Sequence, residues 1–317
     1  MHNSIKFVAA LLLVTVLISA CSQPAPATSQ NHERFTVSVS ILPQKYFVER
    51  IGGEWVNVNV MVGPGDSPHS YEPKATQMTA LSDSAVYFSI GVEFEHAWMD
   101  RIASANPQMQ IVDLTQGFDL IEGVEHHHEE DADHEEDADH TETDDQDVEA
   151  DDHADEDELD PHIWTSPANG ARMAQMIADT LIALDPDHAD DYRANLDAFL
   201  SDITQLQSDI TTAFEDLDTR KFMVFHPAWG YLAREFDLEQ IPIEVAGSEP
   251  SAAELAALIT EAKQEGITVI FAQPEFSTRS ADYIASEIGG KVVLVSPLAE
   301  DWLDNLRTVA QTFAEEL

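Results

Sequence analysis

The sequence predicts an α/β protein built from two series of strands that alternate with helices, with one long helix between the two series. Three observations support this prediction. Short strand-like segments recur in both halves of the chain, the first two of them with period-two alternation, helical segments separate them, and residues 187–216 contain neither Gly nor Pro. Strands that alternate with helices in this way are typical of βαβ units and a mostly parallel sheet.

The first series begins at Phe35. Residues 35–42 alternate in strand fashion up to Pro43, and residues 56–62 do the same up to the turn sequence Gly63-Pro64-Gly65-Asp66. Shorter strands are predicted at 85–90 and 110–114, and helices near 44–51, 74–83 and 94–105.

The middle of the chain is predicted to be helical. Residues 167–184 are amphipathic and stop at Asp185-Pro186. Residues 187–216 then carry apolar side chains at spacings of three and four, which places them on one face of a helix. At 1.5 Å per residue such a helix would be about 45 Å long.

The second series begins at Lys221. Strands are predicted at 222–225, 240–243, 268–271 and 292–295, and helices at 229–236, 251–264, 278–288 and 300–315. Ser251 and Glu254 have the spacing of a capping box at the start of one of these helices.

The N-terminus indicates export. Residues 8–18 are apolar apart from Thr15, and Ile18-Ser19-Ala20-Cys21 looks like a bacterial lipobox. We therefore expect a signal peptide at 1–20, an acylated Cys21 that anchors the protein to a membrane, and a flexible tether at 21–34. The alternative is an ordinary signal peptide with an incidental cysteine.

Composition narrows the chemistry. Cys21 is the only cysteine among 317 residues, so the folded part has neither a disulfide nor a thiolate ligand, and a metal would be held by nitrogen and oxygen. The formal net charge of -45 excludes a nucleic-acid binder.

Much of the acidity lies in one segment. Residues 122–160 contain 22 Asp or Glu, six His and no Lys or Arg, and include HEEDAD twice in succession. Such a composition predicts a disordered loop inserted into the first half. Its histidines predict weak binding of several metal ions, with plain solvated charge as the alternative.

Three histidines stand apart from that segment, each beside a proline that restricts the backbone. His69 follows the second predicted strand, His226 ends the strand KFMVFH, and His162 precedes the long helical region. Because ligands of open α/β sheets bind at loops after the carboxyl ends of strands, these histidines are candidate metal ligands.

The motifs around these histidines resemble a known family. PHSYEP, DPHIW, FHPAWGYLAREF, FAQPEFS and SPLAEDW, together with the acidic His-rich insertion, resemble the metal-binding subunit of the zinc and manganese ABC importers, and within it the zinc branch. The resemblance implies two α/β lobes (35–186 and 217–317) joined by one long rigid helix (187–216). It places the metal in the interlobe cleft, on His69, His162 and His226.

The ligand set fits zinc better than manganese, which favours carboxylates. The sequence departs from the family pattern at two places. The family usually has an aspartate where this chain has Ser296 in the second lobe, and some zinc members have a carboxylate where this chain has Pro68 beside the first histidine. The fourth ligand is therefore open between water, a loop histidine and Glu275.

The predicted function is high-affinity capture of Zn²⁺, as transported ligand, at the periplasmic or extracellular face of the membrane. The resemblance implies delivery to an ABC permease and its ATPase by a monomeric binding protein that is not an enzyme. The alternatives are a manganese- or iron-binding homologue, a zinc-buffering adhesin, and a zinc hydrolase. The sequence has no HExxH motif and no clearly placed general base, which disfavours the hydrolase.

Overall fold

The computed structural model describes residues 34–123, 159–245 and 247–317. Its first half forms a four-stranded parallel sheet in the order β2-β1-β3-β4. The strands are β1 (Phe35–Val39), β2 (Val56–Val60), β3 (Ser84–Ser89) and β4 (Gln110–Asp113), and the helices of this half are α1 (Leu42–Gly52), α2 (Ala75–Ser82) and α3 (Glu93–Ala105).

Two helices follow, α4 (Pro167–Leu184) and α5 (Ala189–Ala213). Helix α4 has the predicted limits, because Ser166 caps its start and Pro186 follows its end. Helix α5 is shorter than the predicted 187–216, since residues 186–188 form a separate 3-10 turn after the proline. Its 25 residues span about 37 Å.

The second half repeats the topology of the first, with a parallel sheet in the order β6-β5-β7-β8. Its strands are β5 (Lys221–Val224), β6 (Glu239–Pro242), β7 (Val269–Ala272) and β8 (Lys291–Leu294). The helices are α6 (Gly230–Glu235), α7 (Ala252–Glu265), α8 (Arg279–Ile288) and α9 (Trp302–Glu316). The predicted α/β fold with two parallel sheets and a long intervening helix is thus confirmed.

The end of β1 differs from the prediction. The strand stops at Val39 rather than continuing to residue 42, because α1 begins at Leu42 with Pro43 in its first turn. Gln44 fixes this change of direction. Its side-chain oxygen accepts hydrogen bonds from the backbone N–H groups of Ser40 and Ile41, while its amide donates to the carbonyl of Phe88 in β3.

The apolar core is continuous across the two sheets. One cluster of buried side chains includes residues of the first sheet, α4, α5, one face of the second sheet and α9. A smaller cluster lies between the second sheet and α7 and α8. Helix α5 packs against α1, α4 and α9, and residues 34–317 form one compact unit. The domain limits given above stay a prediction.

Several predictions concern residues outside the described ranges. These are the signal peptide, Cys21, most of the tether, and the acidic segment apart from its two ends. Over 34–123, 159–245 and 247–317, none of the helices combines the length and the apolar character needed to cross a membrane.

Candidate metal centre

The three predicted histidines come from three loops at the carboxyl ends of the strands. His69 lies in a 3-10 turn (Pro68–Ser70) after β2, with its backbone N–H donated to the Ser67 side chain. His226 directly follows β5, and His162 precedes the 3-10 turn that leads into α4. Both sheets therefore present their loops to one place, as expected for open parallel sheets.

The structure brings the three imidazoles together. One ring nitrogen from each lies within 4.8 Å of the others, and this is the one such group of His, Cys, Asp or Glu found among the described residues. The Nε2 atoms of His162 and His226 are 3.2 Å apart. Two nitrogens bound to one tetrahedral Zn²⁺ at about 2.0–2.1 Å would be about 3.3 Å apart. This pair is therefore already spaced for one ion.

Each imidazole is backed by a carboxylate on its other nitrogen. His69 Nδ1 lies 2.6 Å from Glu93 Oε1, His162 Nδ1 lies 2.7 Å from Asp160 Oδ1, and His226 Nδ1 lies 2.7 Å from Glu244 Oε2, so that these three pairs share one arrangement. A carboxylate at Nδ1 keeps the proton there and leaves the Nε2 lone pair for a metal.

Sequence reasoning missed these three carboxylates. Glu93 is the first residue of α3, the helix that follows β3, Glu244 lies in the loop after β6, and Asp160 stands two residues before His162. Only Asp160 had a local signal, because a side chain two residues earlier can accept from a backbone N–H, and Asp160 Oδ1 does accept from His162 N at 2.8 Å. The other two pairings join residues distant in sequence.

The paired groups have shifted pKa values. Burial alone would raise the pKa of Glu93, but the hydrogen bond and charge of His69 outweigh it and lower the pKa to about 2. Burial lowers the pKa of His226, against the opposing effect of the hydrogen bond with Glu244. A lowered pKa favours the neutral form of His226, which is the form that binds a cation.

His226 is also fixed by its neighbours in the loop after β7. The Gln273 side chain accepts from His226 N at 3.2 Å and donates to His226 O at 2.7 Å. The Phe276 ring stacks on the imidazole, with centroids 4.8 Å apart, and contacts His69 at 5.4 Å. These contacts hold the ring in place and cover one side of it.

Glu275, the candidate fourth ligand, lies beside the centre without belonging to the close group. With the three histidines it lines a space of about 10 Å³, which is about the size of one water molecule or ion. Ser296 donates a hydrogen bond to Glu275 Oε1 at 2.7 Å. Pro68 packs at the same space but offers no ligand atom.

A larger cavity of about 320 Å³ opens from the other side of the histidines. Its lining includes Glu122, Gly123 and Leu159, the residues at the two ends of the acidic segment. Those ends are joined by an antiparallel bridge between Glu122 and Leu159. Tyr231 of α6 ties them further, because its hydroxyl accepts from Ile121 N and donates to the carbonyl of Asp160.

Three imidazoles with an adjacent oxygen donor make a favourable set for a tetrahedral Zn²⁺ ion. Two of the rings are more than nine-tenths buried (His162 at 8% exposure and His226 at 6%). Their positions are therefore fixed by the surrounding protein, and they need little rearrangement when an ion binds. Such preorganisation favours tight binding.

Comparison with known proteins gives a consistent result. Residues 37–316 match the family model described as ZnuA, zinc-uptake complex component A, periplasmic. The high-affinity zinc uptake system protein ZnuA of Bacillus subtilis (strain 168) is 30% identical over 289 residues, which cover 89% of this chain and 85% of that protein.

Solved structures agree with this match. A crystal structure of ZnuA superposes with a TM-score of 0.77 at 41% identity, covering 90% of this chain and 99% of the other. A deletion mutant of ZnuA with zinc bound gives the same TM-score and identity, covering 90% and 98%. With a family model that spans almost all of the described residues, the chain belongs to the family of periplasmic zinc-uptake complex component A proteins.

Proposed function

We propose that this protein captures Zn²⁺ with high affinity outside the cytoplasmic membrane and delivers it to an ABC permease and its ATPase. The observation that carries the proposal is the group of three imidazoles within 4.8 Å, each backed by a carboxylate. The relatives support it, since one is a high-affinity zinc uptake protein and another was solved with zinc bound.

In this proposal His69, His162 and His226 are the protein ligands of the transported ion. They come from both halves of the chain, and Glu93, Asp160 and Glu244 orient them. The protein acts as a monomeric binding subunit and not as an enzyme, in keeping with a family named for uptake. Cys21, outside the described residues, holds it at the membrane through acyl chains.

Calorimetric titration with Zn²⁺ tests the proposal. A variant that lacks residues 124–158 keeps the bridge between Glu122 and Leu159 and should still show one tight binding event per molecule. His226→Ala in this variant should weaken that event by at least 100-fold or so, because it removes one buried nitrogen ligand and leaves Glu244 without its partner. The matched control is His96→Ala, since His96 is exposed on α3.

Two results would contradict the proposal. One is loss of tight binding on deletion of 124–158 while the circular dichroism spectrum is unchanged, which would move the site into the acidic segment. The other is an equal effect of His226→Ala and His96→Ala, which would show that the clustered histidines do not hold the ion.

A further inference from the structure

Glu275 stands between two spaces in the structure. On one side it lines the space of about 10 Å³ that is shared with His69, His162 and His226. On the other it lines a separate cavity of about 260 Å³ with Asp66, Ser296 and Glu300. Glu275 therefore forms part of the wall of the histidine centre.

One oxygen of this carboxylate is fixed by Ser296. The Ser296 hydroxyl donates to Glu275 Oε1 at 2.7 Å while it accepts from Leu298 N at 3.1 Å. Asn305 Nδ2 donates to the Ser296 carbonyl at 2.8 Å. Glu275 Oε1 is the acceptor of the hydroxyl proton, while Leu298 N occupies a lone pair of the same hydroxyl.

The other oxygen has no such partner. Glu275 Oε2 is buried and accepts no hydrogen bond from any residue that the structure describes. Burying a carboxylate oxygen without a partner costs free energy, and native proteins seldom keep one without a water molecule or a cation nearby. Next to three metal-binding nitrogens, a cation is the natural partner.

We infer that Glu275 Oε2 is the fourth, anionic ligand of the metal ion, an inference that rests on the function proposed for the three histidines. In the structure Glu275 is not within the close group of ligand atoms, so Oε2 reaches the ion by a turn of the carboxylate that keeps Oε1 on the Ser296 hydroxyl. Three nitrogens and one carboxylate oxygen complete a tetrahedral zinc site. The negative charge also offsets part of the charge of the ion among three neutral rings.

This inference gives Ser296 a role. The sequence has Ser296 where the family pattern has an acidic residue. In the structure Ser296 instead holds the carboxylate of Glu275 in place. Ser296 is a positioning residue, and the anionic ligand comes from the loop after β7 rather than from the loop after β8.

The test uses the full chain loaded with one equivalent of Co²⁺, whose visible absorption reports the ligands of a tetrahedral site. A water molecule in the fourth position can be displaced by azide, whereas a carboxylate ligand resists it. We expect azide to leave the spectrum of the unaltered protein unchanged and to shift that of Glu275→Gln. Asp66→Asn is the matched control, because Asp66 lines the neighbouring cavity but not the histidine space.

The affinity for Zn²⁺ gives a second reading. Glu275→Gln should bind Zn²⁺ about 100-fold more weakly, and Asp66→Asn should bind it like the unaltered protein. Loss of a residue that contacts only a ligand of the metal typically weakens binding roughly 10- to 100-fold, so the expected loss lies at or beyond the upper end of that range. Equal azide shifts in the unaltered protein and in Glu275→Gln would overturn the inference and leave water as the fourth ligand. That outcome would leave the three-histidine site intact, whereas absence of a tetrahedral Co²⁺ spectrum in the unaltered protein would refute the proposed function as well.

Discussion

The carboxylate at each imidazole decides what the histidines can do. With Glu93, Asp160 and Glu244 accepting at Nδ1, the proton stays on that nitrogen and Nε2 is presented to the ion. The carboxylates also make each ligand nitrogen a better electron donor. Metal affinity should therefore depend on residues that never touch the metal.

Glu244→Gln tests this dependence. The amide oxygen of Gln can still accept from His226, but the negative charge is lost, so we expect the affinity for Zn²⁺ at pH 7.5 to fall about 10-fold, within the range for outer-sphere partners. Competition with a zinc chelator measures the change. Glu239→Gln is the control, because Glu239 is exposed at the start of β6, the strand that precedes Glu244. Equal affinities in the two variants would argue against an orienting role for Glu244.

The same variant has a defined pH dependence. Protons compete with zinc for His226, so affinity falls as the pH falls. Burial lowers the pKa of His226 and the hydrogen bond with Glu244 raises it. Without Glu244 the pKa falls further, and fewer protons compete with zinc at low pH. The affinity ratio between the unaltered protein and Glu244→Gln should therefore shrink from pH 7.5 to pH 5.5. A constant ratio would contradict this account.

Sequence reasoning found the histidines because their position after predicted strands is a local property. It ranked Glu275 behind water and a loop histidine, because nothing in the sequence shows that one of its oxygens is buried without a partner. Glu93 and Glu244 were missed because their pairing with His69 and His226 depends on which loops meet in space.

At the level of elements, the ring of Trp302, at the start of α9, packs closely onto Gly170 of α4. A Cβ atom on Gly170 of α4 would lie 2.8 Å from two atoms of the Trp302 ring and 3.3 Å from Phe47. Trp302 is buried and donates its indole N–H to the carbonyl of Trp164, while Trp164 donates to the carbonyl of Pro297. Glycine is needed here for closeness of approach.

Gly170→Ala should therefore destabilise the protein. Alanine favours a helix by about 1 kcal/mol over glycine, but forcing a methyl group against Trp302 costs about 1–3 kcal/mol or more. We expect a net loss in the free energy of unfolding of about 1–2 kcal/mol, measured by urea denaturation. Asn169→Ala, one residue earlier and half-buried, serves as the control. A gain in stability for Gly170→Ala would show that the Trp302 ring can move aside.

Element limits were predictable where the chain itself carries the stop signal. Ser166 and Pro186 bound α4 as predicted, and Ser251 with Glu254 forms the predicted capping box at the start of α7. The end of β1 was predicted too late, because the sequence alternation continues while Pro43 and the hydrogen bonds of Gln44 already begin a helix.

For the whole molecule, the two sheets share the same strand order and much of one apolar core. The shared core depends on side chains far apart in sequence, such as Phe47, Phe199 and Trp302, whose rings pack edge to face. Contacts of this kind leave no periodic signal, which is why the sequence predicted the sheets but not how they are joined.

Attachment to the membrane is a property of the whole chain that the described fold does not supply. We expect the full-length protein to fractionate with membranes and Cys21→Ala to appear in the soluble exported fraction, since each acyl CH₂ contributes about 0.8 kcal/mol to membrane binding. Zinc affinity should be the same in both forms. Membrane association of Cys21→Ala would show that the anchor lies elsewhere.

The joint at the base of the acidic segment has a consequence for how this protein can vary. Tyr231 and the bridge between Glu122 and Leu159 hold the two ends of the segment together. The composition of the segment predicts a flexible chain, and closing such a chain costs only about 0.6 kcal/mol more for each doubling of its length. We expect insertions, deletions or a grafted reporter domain between Glu122 and Leu159 to leave the fold nearly unaffected. The segment can therefore change in length during evolution without altering the histidine centre.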